Sequence, residues 1–256
     1  MKVSGTLYLV PNALDGGTTE AGVDLGDRLP LGTLRVAARL AGWVAENAKA
    51  TRAFLKRVDA VCPLARPIQE IAIVELPRPA KGRPGSGNAP FDADRLLAPA
   101  LGGGDLGLIS EAGLAAVADP GALLVAAAHR AGIRVVALPG ASSITLAVAA
   151  SGLNGQSFAF VGYLPIEADA RAARIRELET ASRRLTQTQV MIETPYRNAA
   201  LLAALLAQLQ PATMLAVSVG LTLAGESTRS DTIERWRPAP GTLPADVPAV
   251  FSLLAR

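Results

Sequence analysis

The side chains that carry most enzyme chemistry are scarce in this 256-residue chain, and the scarcity is informative. His129 is the only histidine, which excludes a multi-histidine metal site. A Ser-His-Asp triad would have to use that same residue, and no G-x-S-x-G elbow accompanies it. Its place near the end of a predicted helix, before Gly132, suits a cation at a helix C-terminus. Cys62 is the only cysteine, so no intrachain disulfide can form and a reducing compartment is expected. Its neighbours Ala60-Val61 and Pro63-Leu64 make it a small buried hydrophobe rather than a nucleophile. No G-x-x-x-x-G-K-[ST] phosphate loop is present. Gly102-Gly103-Gly104 precedes a strand instead of joining strand to helix, so it reads as a turn.

What remains is a pair of segments rich in small residues. Ser110–Gly121 (SEAGLAAVADPG) follows one apolar run and enters a helix, and Pro139–Ser143 (PGASS) follows the next. Glycine and alanine let backbone N–H and C=O groups approach a ligand closely. In open parallel sheets, ligands collect outside the carboxyl ends of the strands. These segments therefore point to cofactor binding mediated largely by backbone.

The elements that would position them are legible as a rhythm. Thr6–Val10, Gly107–Ser110, Arg134–Leu138, Phe158–Tyr163, Gln189–Thr194, Met214–Val219 and Ala249–Leu254 read as strands. Most lack in-out alternation, as expected of strands covered on both faces. Between them, Asp119-Pro120 predicts a capped helix start, with Ala122–Ala131 closing at Gly132. Ser142 or Ser143 would cap a helix ending at Ser151-Gly152. Glu167–Arg184 reads as a charged helix with i,i+4 pairs such as Glu167–Arg171. The alternation predicts α/β layers. Pro77–Pro90, with Arg78, Lys81 and Arg83, breaks the pattern as a cationic loop. A division after Leu138 gives an N-terminal α/β domain, 1–138, and a C-terminal one, 139–256.

Half the residues are hydrophobic but only 4% are aromatic, so the core must be built from Ala, Leu and Val. A net charge of +3 is too small to imply nucleic-acid binding by itself. The Ala199–Leu209 run is too short to span a bilayer, which takes about 20 residues. No signal-peptide pattern opens the chain, and a soluble, cytoplasmic protein without membrane or metal is expected.

Five further segments carry a resemblance. Gly5–Pro11 (GTLYLVP), Ser110–Gly121, Arg134–Ser143 (RVVALPGASS), Ser151–Pro165 (SGLNGQSFAFVGYLP) and Glu193–Arg197 (ETPYR) resemble, in order, the tetrapyrrole methylase superfamily. Its 16S ribosomal RNA cytidine 2′-O-methyltransferase branch is the nearest, and Ala45–Leu55 (AENAKATRAFL) is similar to that branch's acidic segment. The resemblance implies two α/β domains with mostly parallel or mixed sheets, a cofactor cleft between them, and a homodimer. It implies S-adenosylmethionine as cofactor and ribosomal RNA as methyl acceptor. Carried over segment by segment, cofactor contacts fall on Val10 and Pro11, on Gly113, Leu114 and Val117, and on Ser142 and Ser143. Thr194, Leu221 and Pro248-Ala249 match the adenosine contacts of the second domain. Glu46 and Glu111 are the candidate general bases for a ribose hydroxyl, with Glu193 next. Three positions depart from the branch. Pro11–Asp15 replaces T-P-I-G-N, Leu114-Ala115 follows Gly113 in place of T-P, and Glu46-Asn47-Ala48-Lys49 loses a carboxylate of E-D-T-R. These departures leave room for two other readings: a tetrapyrrole C-methyltransferase, or a protein that binds the cofactor without transferring its methyl group.

Overall fold

Short, wholly apolar strands separated by helices dictate sheets covered on both faces, and the computed structural model has two of them. It describes residues 4–15, 24–77 and 91–256, so the cationic segment expected at Pro77–Pro90 lies, after Pro77, outside the described residues. Two compact units emerge, Met1–Ala141 and Ser142–Arg256.

The first unit has strands β1 (Thr6–Val10), β2 (Gly42–Ala45), β3 (Ala72–Glu75), β4 (Leu106–Ile109) and β5 (Arg134–Ala137). All pair in parallel, in the order β3-β2-β4-β1-β5. The helices are α1 (Leu31–Arg39), α2 (Ala48–Val61), α3 (Ala93–Leu101) and α4 (Ala122–Arg130). Connections from β1 to β2 to β3 run one way along the sheet, and those from β3 to β4 to β5 run back. Right-handed crossovers therefore place α1 and α2 on one face and α3 and α4 on the other. Alternate strand residues divide accordingly: Val10, Trp43, Ala45 and Ile109 pack under α1 and α2, while Leu7, Val44, Leu106 and Leu108 pack under α3 and α4. Gly107 is needed here, because a Cβ would sit 2.7 Å from the buried Trp43 ring.

The second unit has strands β6 (Phe158–Gly162), β7 (Thr188–Glu193), β8 (Met214–Val219), β9 (Ser227–Thr232) and β10 (Ala249–Leu254), in the order β6-β7-β10-β8-β9. Only β6 and β7 are parallel; the other pairs are antiparallel. Helix α5 (Ser143–Ser151) covers one face over Val190 and Val250. Helices α6 (Ala168–Leu185), α7 (Asn198–Gln208) and α8 (Ile233–Trp236) cover the other over Met191, Val217 and Phe251.

Several local expectations are corrected. Strands β2, β3 and β9 were not foreseen: β2 and β3 are four residues each, and β9 is polar (STRSDT) because it is a sheet edge. Helix α4 begins at Ala122 after Gly121, whose φ of 132° makes it the cap residue, so Asp119 is not an N-cap. The Glu167–Arg171 ion pair does not form: Glu167 is itself the cap position of α6, and the Arg171 Nη1 donates to the Ile166 carbonyl (2.9 Å). Ser142 does take the cap position of α5, but without a side-chain hydrogen bond, and Gly152 ends that helix in the left-handed conformation.

Candidate functional site

In the first sheet the direction of connection reverses where β1 and β4 lie side by side, and the carboxyl ends of such a strand pair form the natural ligand crevice of an open parallel sheet. The loops leaving those two strands are stitched together. Asn12 and Gly113 exchange backbone hydrogen bonds (2.9 and 3.1 Å), and the Asn12 Nδ2 donates to the Glu111 carbonyl (2.9 Å). The Asn12 Oδ1 accepts from Ala13 N–H (2.9 Å), completing a buried clamp. Asn12, one of the departures noted above, therefore holds this edge together. The loop after β5 closes on the same place: a Cβ on Gly140 would lie 2.4 Å from the Pro11 ring. Val10 and Pro11 are buried, so any ligand would meet their backbone.

Beyond Gly113 (φ 71°) the loop stays contorted, with Ala116 and Ala118 both left-handed at φ 66° and 64°. For alanine that conformation costs about 1–2 kcal/mol per residue. Strain of this kind concentrates at binding sites. The N–H groups of Leu114, Ala115 and Ala116 donate to no acceptor among the described residues. Leu114 is half-buried and Val117 exposed. Unpaired donors and small side chains fit a ligand gripped through backbone, as an adenosyl sulfonium cofactor would be.

Carboxylates gather beside this loop. Glu46, just beyond β2, accepts the N–H of Glu111 at its Oε2 (3.0 Å). Asn47 caps α2 with its Oδ1 and donates from its Nδ2 to the Glu111 Oε1 (2.7 Å). The lost carboxylate of the acidic segment has thus become a donor that holds Glu111. Sequence reasoning missed a third acid, Asp119, hidden behind its resemblance to a helix cap. Burial, then the charge of Glu46, pushes its carboxyl up to about 6, with Glu111 adding to the rise and the Ser110 hydroxyl opposing it. Among the described residues no three His, Cys, Asp or Glu side chains are disposed to hold a metal ion.

In the second unit, Ser142 is buried and Ser143 opens α5. Antiparallel pairing aligns the start of β10 with the ends of β7 and β8: Ala249 faces Glu193 and Val219. The Gly220 N–H donates to the Pro248 carbonyl (3.0 Å). Thr194, Leu221 and Pro248-Ala249 are thereby brought to one sheet edge. Ala249 is buried, Leu221 and Thr194 are half-buried, and Pro248 is exposed. Glu193 is committed: its Oε1 accepts from the Thr194 N–H (2.8 Å) and hydroxyl (3.2 Å), and its Oε2 pairs with Arg197 (3.0 Å). With both carboxylate oxygens engaged, Glu193 holds its own loop.

These features define a two-unit α/β protein with ligand-binding loops at the carboxyl ends of its strands. Residues 33–236 match the family profile of Tetrapyrrole (Corrin/Porphyrin) Methylases, and the chain belongs to that family. Over 146 residues it is 36% identical to the ribosomal RNA small subunit methyltransferase I of Mesorhizobium japonicum, covering 57% of this chain and 48% of that protein. It is 42% identical over 93 residues to the same-named protein of Xylella fastidiosa, covering 36% of this chain and 34% of that one. The matches thus span half or less of the length of these relatives. In fold it is similar to the crystal structure of a uroporphyrin-III-C-methyltransferase from Thermus thermophilus, with a TM-score of 0.53 at 22% identity over 98% of this chain and 94% of the other. It is also similar in fold to a conserved hypothetical protein from Aeropyrum pernix K1, with a TM-score of 0.55 at 18% identity over 99% of this chain and 85% of the other.

Proposed function

We propose that this protein is an S-adenosylmethionine-dependent methyltransferase that acts on ribosomal RNA at a ribose 2′-oxygen, as a cytoplasmic homodimer. The observation that carries the reading is the strained loop Gly113–Gly121, whose Leu114, Ala115 and Ala116 N–H groups meet no acceptor among the described residues, at the switch point of the first sheet. The names of the relatives supply the acceptor. Val10, Pro11, Gly113, Leu114 and Val117 would hold the cofactor from the first unit. Ser142, Ser143, Thr194, Leu221, Pro248 and Ala249 would hold it from the second.

The cofactor, when bound, supplies a methyl group on an electrophilic sulfonium. The protein's own residues have three tasks: to orient the acceptor hydroxyl, to exclude water, and to take its proton. Glu111 is exposed and held at one oxygen by Asn47, which leaves the other to take that proton. Glu46 fixes the backbone of Glu111 and so positions it. No helix among the described residues is long and apolar enough to cross a membrane, and none of these roles needs one.

Calorimetry with S-adenosylmethionine is expected to give saturable binding, and labelled-methyl transfer to undermethylated small ribosomal subunits is expected to put label into RNA. Glu111→Gln should bind the cofactor as before and lose about 100-fold or more in transfer rate. Absence of cofactor binding ends the reading. Binding without transfer would make the chain a cofactor-binding protein, and label in uroporphyrinogen in place of RNA would make it a tetrapyrrole enzyme.

A further inference from the structure

The first unit carries a groove that none of the roles above uses. It follows one stripe of α1, where Leu31, Arg35 and Arg39 recur at every fourth position, and it is closed by Val61, Cys62 and Pro63 where α2 ends. Its volume of about 460 Å³ lies in the range of small-ligand sites. Helix α1 leads from β1 back to the start of β2, and Arg39 in its last turn reaches the Tyr8 hydroxyl (2.7 Å) and Asp105 (3.7 Å), the residue before β4. This end of the groove therefore lies at the amino edge of the sheet, opposite the strained loop after β4.

The lining combines apolar walls with cations. Leu31 is 46% exposed, a large apolar side chain that a ligand in the groove would cover. Arg35 is exposed and has neither a hydrogen bond nor a carboxylate partner among the described residues. Arg39 is steadied over the Tyr8 ring, 5.3 Å from its centroid. Its ion pair with Asp105 is long and open to solvent, hence weak, and leaves most of its five N–H donors free for a ligand. The end of a helix repels anions, but here the repulsion is blunted. The Ala38 carbonyl accepts the Ala65 N–H (2.9 Å), and the Ala37 carbonyl accepts the Leu40 N–H (3.3 Å). Two guanidinium groups one turn apart match a phosphate monoester, which carries a charge of about −1.5 to −2 at neutral pH. A carboxylate, with a single charge, is satisfied by one guanidinium fork. Apolar walls beside the two cations suit a flat ring.

We propose that this groove binds a nucleoside 5′-monophosphate, with the phosphate between Arg35 and Arg39 and the base against Leu31 and Pro63. The same chemical group ends a 5′-phosphorylated RNA, so the source is either a free nucleotide or such an RNA end. The proposal does not rest on the transferase reading, because the groove and the strained loop stand at opposite edges of the first sheet.

The test is calorimetry of the full-length protein with uridine 5′-monophosphate, which lacks the adenine of S-adenosylmethionine, in the presence and absence of saturating S-adenosylmethionine. Saturable binding is expected in both conditions, and uridine without its phosphate should bind at least about 10-fold more weakly. Arg35→Gln should weaken the nucleotide about 10-fold. Ala65→Phe, which fills the groove from its exposed rim, should abolish binding. Both variants should melt like the parent, since both positions face solvent. Parallel titrations with a short RNA bearing a 5′-phosphate or a 5′-hydroxyl name the source: a phosphate-dependent gain over the free nucleotide assigns an RNA end, and its absence assigns the nucleotide. No binding of uridine 5′-monophosphate, equal binding of uridine, or unchanged affinity in both variants overturns the proposal. So does displacement of the nucleotide by S-adenosylmethionine, which would put it at the cofactor loops.

Discussion

Asp119 is the side chain whose chemistry differs most from its ordinary behaviour. Its carboxyl, pushed from 3.8 to about 6, binds a proton more tightly in the folded protein than in the unfolded chain. Between those two values the folded state holds the extra proton, so stability falls as pH rises through the window, and the whole cost is present above pH 6. Asp119→Asn removes the charge and keeps the shape. The variant should melt higher than the parent at pH 8, and the two should converge below pH 4, as followed by melting temperature across pH. The opposite ordering at pH 8 would mean that the folded protein stabilises the Asp119 carboxylate rather than its protonated form. Asn12 and Asn47 act at the same scale as neutral donors: each joins an end of one strand to the loop after β4, and so keeps Glu46 and Glu111 in register.

At the scale of the element, the loop Gly113–Gly121 sets two effects against each other. Replacing Ala116 or Ala118 with glycine would relieve about 1–2 kcal/mol of left-handed strain. It would also free the unfolded chain, at a cost of about 0.5–1 kcal/mol. Relief wins narrowly, so each variant should be as stable as the parent or up to about 1.5 kcal/mol more so. The looser loop should nonetheless bind S-adenosylmethionine more weakly. Denaturant unfolding and calorimetry together check the pair of effects; a gain in both would show that the contortion does nothing for the ligand. Gly140 belongs to the same element logic, since its missing Cβ is what lets the loop after β5 lie on Pro11.

Each unit owns a five-stranded sheet with an apolar cluster on either face. A unit with both faces covered carries its own core and satisfies the requirement for independent folding. Residues 142–256 expressed alone should therefore unfold in one cooperative thermal transition. A non-cooperative melt would show that this half needs the other to fold.

The sequence alone was enough for the α/β class, the apolar strands, the buried Cys62 and the segments that resemble a methylase family, because burial on both faces and strand-end glycines leave marks within a few residues. It could not reveal β2 and β3, which are four residues long, or the polar edge β9, whose side chains carry no core signal. It misread Asp119, since an Asp-Pro pair before a helix looks the same whether its carboxylate caps a backbone or faces Glu46. That choice was made by tertiary structure. Charge neighbours 65 or more residues apart in the chain, as Glu46 and Glu111 are, exist only once a parallel sheet has set the ends of β2 and β4 side by side.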